Sequence, residues 1–471
     1  MSSLSALNSL LDPSSAINLS AILEAATGSS SPGIDVNSAV SAAVTAAEAP
    51  EQNWEAQQTT LQNQATALTQ LQSSSTNLDN DMQSLNSLTG PLSATIASSS
   101  NSTIVTGTSG SGSAIGNDVV VVNNLATTAS WSSNTLANET TDLPPETFVI
   151  TTASGASATI TTGNGIDTLD DLTKAINGEN LGVTASVIND ASGSRLAITS
   201  NTSGSAANFT VTSSDSSFGF TQAEAGTNAS LTVNGISVTS ASNTVTGAIP
   251  GLTLNLLSAS PGTAVTLSVA PDTSQASTAI NQFVSDYNTL IGQLNTQFTD
   301  TGSGEGVLAS DPSVRNLQSE LLQALDYTAI PSSGDTSTTV SNLSSIGISV
   351  NSDGTLSVNS STLNSALQNN YSDVQNFFQG SSLNGFANSL DQQLTSFISP
   401  SDGALTVDLQ SLTSENTTLQ DDINNFQTNI IAPLQTQLQS EFSKAEIALQ
   451  QLPNEIKDVD AELGENNSSS N

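Results

Sequence analysis

Apolar residues recur at both ends of the chain in alternating steps of three and four. Near the start they are Val40, Val44, Ala47, Trp54, Leu61, Ala65, Leu68, Leu71, Leu78, Met82 and Leu85. Polar Glu51, Gln58 and Ser75 fall on the same line, and the register breaks once between Leu68 and Leu71. This is the a/d spacing of a coiled coil. Pro50 suits the first turn of a long helix, where its missing amide proton is not needed, or else kinks it. An unbroken helix over 50–88 would span on the order of 60 Å at about 1.5 Å per residue. Near the other end, Leu405, Leu409, Leu412, Leu419, Ile423, Phe426 and Ile430 hold the alternation. The steps 430–434–438–442 are all fours, which shifts the seam as an eleven-residue repeat does. Phe442, Ala445, Leu449, Leu452, Ile456, Val459 and Leu463 then resume it. Pro433 and Pro453 are expected to bend this helix, since each removes an internal hydrogen bond. Helical spacing also builds ordinary bundle cores, but two such segments at opposite ends favour pairing with each other or with copies.

Between the seams the period changes to two. Short β-branched runs at 119–122, 148–152, 158–162, 183–188, 196–200, 209–212, 231–233, 252–257 and 264–269 are bounded by Gly, Asn, Ser or Pro and read as strands. A helix over 168–176, introduced by Asp167, interrupts them. After 270–275, Asp272 or Thr273 is an N-cap for a helix over 276–298 with Ile280, Phe283, Val284, Tyr287, Leu290, Ile291 and Leu294 on one face. A Gly-rich link at 301–306, a helix at 314–325, a hairpin and helices at 361–367 and 372–378 follow. The hairpin sets Ile348 and Val350 opposite Leu356 and Val358 across Asn351–Gly354. The first 34 residues, Ser/Ala-rich and broken by Pro13, Gly28 and Pro32, read as a mobile extension with at most a short helix over 16–26.

Composition narrows the chemistry. In 471 residues there are 5 Lys and Arg against 42 Asp and Glu, a net charge of −37. Charged residues make up only 10% and hydrophobic ones 36%; the rest is mostly Ser, Thr, Asn and Gln. So few cations exclude a phosphate-neutralising surface, hence nucleic-acid binding, and an anionic membrane would repel the chain. No apolar run reaches the roughly 18 residues of a membrane span. The N-terminus lacks the basic and apolar regions of a cleaved signal. There is no His and no Cys, which removes His-based triads, thiolate chemistry and His- or Cys-ligated metals.

The remaining candidates have plainer readings. Asn351–Gly354 lacks the sixth-position Gly and twelfth-position Glu of a calcium loop and fits a hairpin turn. Gly302, Gly304 and Gly306 lack a preceding strand and a following Lys-Ser/Thr, so they read as a linker. Asp167, Asp170 and Asp171 sit at a helix start, and Asp421 and Asp422 on a coiled-coil face, where solvation explains them. Asn-x-Ser/Thr triplets such as the one at Asn138 follow from composition. Trp54 reads as a packing residue. No catalytic, cofactor or metal site emerges, and no enzyme is expected.

Several blocks resemble a known family. PGIDVNSAVSAAVTAAEAPEQNWEAQQTTLQNQATAL (32–68) is similar to the N-terminal signature of the flagellar filament-capping family, hook-associated protein 2. Residues 276–295, 307–321, 346–378 and 438–452 resemble blocks of its C-terminal region. Residues 147–212 resemble the flagellin IN module, whose helix pattern is met by Leu169, Leu172, Ile176 and Asn177. About 30 residues precede the family's usual start, and the terminal helices carry Gln, Asn, Ser and Thr where members usually carry Lys and Arg.

The resemblance implies an α+β multidomain chain with terminal helices and nested β-rich domains. Its expected parts are a mobile extension (1–34), a coiled-coil leg (35–70 with 405–463), and a helical domain with the hairpin (71–110 with 272–400). Inside these lie a β-rich domain (111–146 with 207–271), an IN-type insertion (147–206) and a disordered tail (464–471). It implies a secreted protein at the distal tip of the bacterial flagellum, exported by the flagellar type III route without signal cleavage. Implied partners are flagellin, the filament end, further copies in a ring and an export chaperone; no cofactor is implied. The seam residues are the implied assembly surface. The alternatives are another flagellar axial protein, such as a hook–filament junction protein or flagellin, and an acidic cell-surface adhesin.

Overall fold

In the computed structural model the described residues are 36–110, 112–214, 218–299, 305–329 and 339–468. The expected extension, its short helix and most of the Gly-rich link lie outside them. Helix α1 is Val36–Ala47. Helix α2, Ala49–Asn86, starts with Pro50 in its first turn. The hydroxyls of Thr59, Thr60, Thr66, Thr69 and Thr76 bond back to carbonyls four residues earlier, so the polar face of α2 is satisfied internally.

The chain then turns into antiparallel sheet. Strands β1 (Thr95–Ser99), β2 (Val105–Ser109) and β3 (Gly116–Asn124) come first. Next are β4 (Thr128–Ser133), β5 (Thr147–Thr152), β6 (Ser157–Thr161), helix α3 (Leu169–Gly178), β7 (Val183–Asp190), β8 (Gly193–Ser203), β9 (Phe209–Ser213) and β10 (Phe220–Glu224). β11 (Ala229–Val233), β12 (Ile236–Ser240), β13 (Thr244–Ile249), β14 (Leu252–Leu256) and β15 (Val265–Pro271) complete the sheets.

A five-stranded sheet in the order β1-β15-β3-β11-β12 and a three-stranded sheet β13-β14-β2 enclose Val105, Val120, Leu231, Leu254 and Leu267. The strands that enter and leave this domain pair with each other from Thr95↔Pro271 inward, which closes its neck. A second insertion leaves it at Thr127 and returns at Thr227, and these two residues are themselves bridged. It holds the sheets β10-β4-β8-β7 and β6-β5-β9, with α3, around Phe148, Ile150, Leu172, Ile176, Leu196 and Phe218.

Helix α4 (Thr273–Phe298) is capped by Asp272, whose Oδ1 accepts from the amides of Ser274 and Gln275 at 3.1 and 3.0 Å. Helix α5 (Pro312–Ala324), hairpin β16 (Ile348–Val350) and β17 (Leu356–Val358), and helices α6 (Ser360–Asn369), α7 (Tyr371–Gln379) and α8 (Phe386–Ile398) follow. They share one core with α2, in which the Phe386 ring contacts those of Phe283, Phe377 and Phe378. Helix α9 (Ala404–Phe426) passes through a π turn at Gln427–Ile431 into α10 (Ala432–Ser468).

The nested order agrees with the expected fold class, but several boundaries move. β1 and β2 are strands of the β-rich domain, so 95–110 leaves the helical domain. The insertion widens from 147–206 to about 127–227, because β4 and β10 pair with each other and β4 with β8. Leu68 and Leu405 lie in the helical domain's core instead of the leg. Thr168, not Asp167, caps α3: its Oγ1 accepts from the Asp171 amide at 3.3 Å and donates to the Asp171 carboxylate at 2.7 Å. The tail is helical as far as Ser468, since an established helix propagates at little cost through polar residues.

Candidate assembly surface on the terminal helices

The leg is built from two small apolar clusters. Leu61 of α2 meets Leu419 and Ile423 of α9, with Leu412 and Trp54 at the margin. Ala47 meets Phe426 and Ile431, with Val44, Trp54, Ile430 and Leu434 around them. Trp54 belongs to both, and its ring meets that of Phe426 edge-on, centroids 5.3 Å apart at 84°. Val40 is buried on α1.

Of the polar seam positions, Glu51 and Gln58 are paired across the helices, whereas Ser75 is buried with its hydroxyl unpartnered. Gln58 Nε2 donates to Gln420 Oε1 at 2.8 Å, and Gln57 Nε2 to Glu415 Oε1 at 3.4 Å. Glu51 is buried and accepts from Gln427 Nε2. Amides replace ion pairs here because they satisfy carboxylates and each other without a cation. Sequence reasoning found Glu51 and Gln58 as interruptions and missed their partners; Leu434 stood on the expected line, whereas Ile431 was missed because the π turn shifts the register there.

The seam residues divide into three groups. Leu68, Leu71, Leu78, Met82 and Leu85 are buried in the helical domain. Val40, Val44, Trp54, Leu61, Leu412, Leu419, Ile423, Phe426 and Ile430 belong to the leg, and Leu409 is half-buried between the two regions. Phe442 is half-buried, whereas Leu449 and Leu452 are 44% and 45% exposed. With Ile447, Ile456 and Val459 they leave an apolar helix surface uncovered by any described residue. Pro433 stands just after the π turn and Pro453 inside α10 without ending it.

The other sequence candidates are structural. Asp353 Oδ1 accepts from both the amide and hydroxyl of Thr355 at 3.0 and 2.6 Å, tying the hairpin turn. Asp421 and Asp422 are exposed on α9. Among the described residues no three His, Cys, Asp or Glu side chains converge as a metal site, and no helix is long and apolar enough to cross a membrane.

Residues 32–129 match the profile of the Flagellar hook-associated protein 2 N-terminus, and 226–454 that of its C-terminus. Residues 147–202 match the Flagellin hook IN motif. The chain is 27% identical over 418 residues to the B-type flagellar hook-associated protein 2 of Pseudomonas aeruginosa, covering 80% of this chain and 84% of that one. It is 27% identical over 315 residues to the lateral flagellar hook-associated protein 2 of Vibrio parahaemolyticus, covering 60% and 68%. The crystal structure of the flagellar cap protein FliD D1-D2-D3 domains from Escherichia coli is similar with a TM-score of 0.57 and 28% identity, covering 74% of this chain and 99% of that one.

Proposed function

The chain belongs to the flagellar hook-associated protein 2 family, and from that premise we propose how it works as a filament cap: its leg seats on the distal end of the bacterial flagellar filament while the nested β domains form the cap body. Capping retains exported flagellin and promotes its folding and insertion beneath the cap. The observation that carries this reading is the pair of N- and C-terminal family matches bracketing the doubly nested β domains. Those matches are to hook-associated protein 2, which disfavours the junction-protein and adhesin alternatives. The role is structural, not enzymatic.

The finer parts of the reading rest on physical support. Copies assemble into a ring through apolar and neutral polar contacts, because five cations cannot neutralise 42 acidic groups per chain. The uncovered surface at Leu449, Leu452, Ile456 and Val459 is the part of α10 that meets the filament end or a neighbouring leg. Two small clusters give the leg a low opening free energy, which suits a contact that must rearrange as each subunit inserts. Export through the flagellar type III route, with a chaperone guarding the terminal helices, suits a chain with no Cys to cross-link in transit.

The test is filament growth in cells lacking this gene. Those cells should shed flagellin monomers, the native chain should restore filaments, and a Leu449→Asp/Leu452→Asp variant that folds normally should not. Full filaments without the native chain would refute capping. Full filaments with the charged variant would refute only the role given to α10.

A further inference from the structure

Aspartates face one another between helices of the helical domain. Asp79 on α2 lies beside Asp391 on α8, and Asp81 on α2 beside Asp286 on α4. A fifth carboxylate, Asp311 at the start of α5, is in the field of Asp408 on α9. Asp79 is only 7% exposed. Its Oδ2 accepts from Gln83 Nε2 at 2.8 Å, but its Oδ1 is buried without a donor, and so is Oδ1 of Asp391. Asp81 Oδ2 is also buried without a donor, while Asp286 Oδ2 accepts from Gln282 Nε2 at 3.0 Å.

Among the described residues no cation faces either pair. Arg315 donates to the Ala309 carbonyl at 2.8 Å and sits 5.6 Å over the Phe298 ring. Lys174 and Arg195 pair with Asp171 and Asp190 in the inserted module, and Lys444 with Glu441 on α10. Lys457 is exposed on α10. Among the other titratable groups on the packed helices, the hydroxyls of Tyr287 on α4 and Tyr371 on α7 are buried without a partner, and Glu320 on α5 is half-buried. Tyr287 on α4 is in the aromatic core, Asp373 on α7 accepts from Thr339, and Glu415 on α9 accepts from Gln57 in the leg.

Two carboxylates held oxygen to oxygen away from water repel each other. One proton between them removes a charge and gives a hydrogen bond to the orphaned atoms, Oδ1 of Asp79 and of Asp391 in the first pair and Oδ2 of Asp81 in the second. We propose that shared protons fasten the helical domain, one between Asp79 and Asp391 joining α2 to α8 and one between Asp81 and Asp286 joining α2 to α4, so that the domain is tight in acid and loosens above neutral pH. Burial, and then the neighbouring carboxylate, raises the pKa of Asp79 and of Asp81 from 3.8 to about 7. A folded pKa above the unfolded one means that the folded chain holds more protons between about pH 4 and 7. The stabilisation is therefore complete below that window and is lost as pH rises through about 7.

The test is urea unfolding of the full chain, followed by helical circular dichroism from about pH 5 to about 8.5, for the native sequence and for Asp79→Asn/Asp81→Asn. Asn keeps the shape of a protonated carboxyl and cannot ionise. For each proton held, the native unfolding constant should rise about tenfold per pH unit between pH 5 and 7. The double variant should lose that part of the slope. It should also lose a protonated-carboxyl infrared band that the native chain shows near pH 6. If the variant does not fold, Asp391→Asn/Asp286→Asn gives the same readout from the opposite partners. A variant that keeps the native slope, or a native chain without the band, overturns the proposal. So does calcium chloride restoring stability at pH 8.5 in a native chain without the band, because the pairs would then be cation ligands.

Discussion

Replacing Trp54 with Ala should loosen the leg and leave the helical domain unchanged. Trp54 is half-buried and touches both leg clusters, so its removal weakens both at once. Truncating a buried Trp costs about 3–5 kcal/mol. Half-burial reduces this to about 2 kcal/mol, including the roughly 0.5–1.5 kcal/mol of the edge-on contact with Phe426. At about 1.4 kcal/mol per tenfold, local opening should become about 30-fold more frequent. Hydrogen exchange read by mass spectrometry would resolve it. Amides of 52–65 and 412–430 should lose about 30-fold protection, those of 280–294 should not change, and Trp54→Phe should lose less. Unchanged protection in the leg would show that the clusters do not hold it together. Loss spreading to 280–294 would show that leg and helical core open as one unit, contrary to their separate clusters.

Other perturbations probe the body. Asn288 clamps the hairpin to α4, donating to the Leu356 carbonyl at 2.8 Å and accepting from its amide at 2.6 Å. Asn288→Ala strands both groups and should cost about 2–4 kcal/mol in urea unfolding of the helical domain; a change under about 0.5 kcal/mol would refute the clamp. Gly193 has φ 128°, and a Cβ there would stand 2.0 Å from the Leu136 carbonyl oxygen. Gly193→Ala should destabilise the inserted module by about 2 kcal/mol or more, seen as faster exchange confined to 127–227. Salt should strengthen self-association or leave it unchanged, because screening relieves repulsion among copies at −37 each. Dissociation on raising salt, measured by sedimentation, would mean that cations carry the interface.

The elements legible in the sequence were those with strong period or chemistry. Asp272 and the apolar face from Ile280 to Leu294 gave α4 to within a turn, and the hairpin pairing Ile348↔Val358 and Val350↔Leu356 followed from alternation around Asn351–Gly354. The missed strands β1, β2, β4, β10, β12 and β13 are short and rich in Ser, Thr and Gly. Their local preference is weak, and pairing with distant strands decides them. β1 is held by β15, about 170 residues away, a separation that no local window sees. Helix α8 was missed because 379–386 gives no capping side chain and its apolar residues, Phe386, Leu390, Leu394 and Phe397, follow a loop instead of a turn signal.

The seam shows why a regular apolar period does not by itself identify an assembly surface. Leu68 to Leu85 and Leu412 to Ile430 share one pattern, yet the first run is a domain core and the second a leg. What separates them is how many helical lines meet: several in the helical domain, and in the leg only the α1–α2 line against the α9–α10 line. That number depends on tertiary contacts between α2, α4 and α8, and on a boundary that the sequence marks only by replacing Leu with Gln at exposed positions. The acidic pairs were hidden for a related reason. Asp79 and Asp81 look like solvated residues of a polar helix until α4 and α8 bring Asp286 and Asp391 against them. In a chain with five cations, burying a carboxylate leaves few ways to satisfy it. An amide donor serves at Glu51, through Gln427. Opposed carboxylates need a proton, which ties the stability of the helical domain to pH.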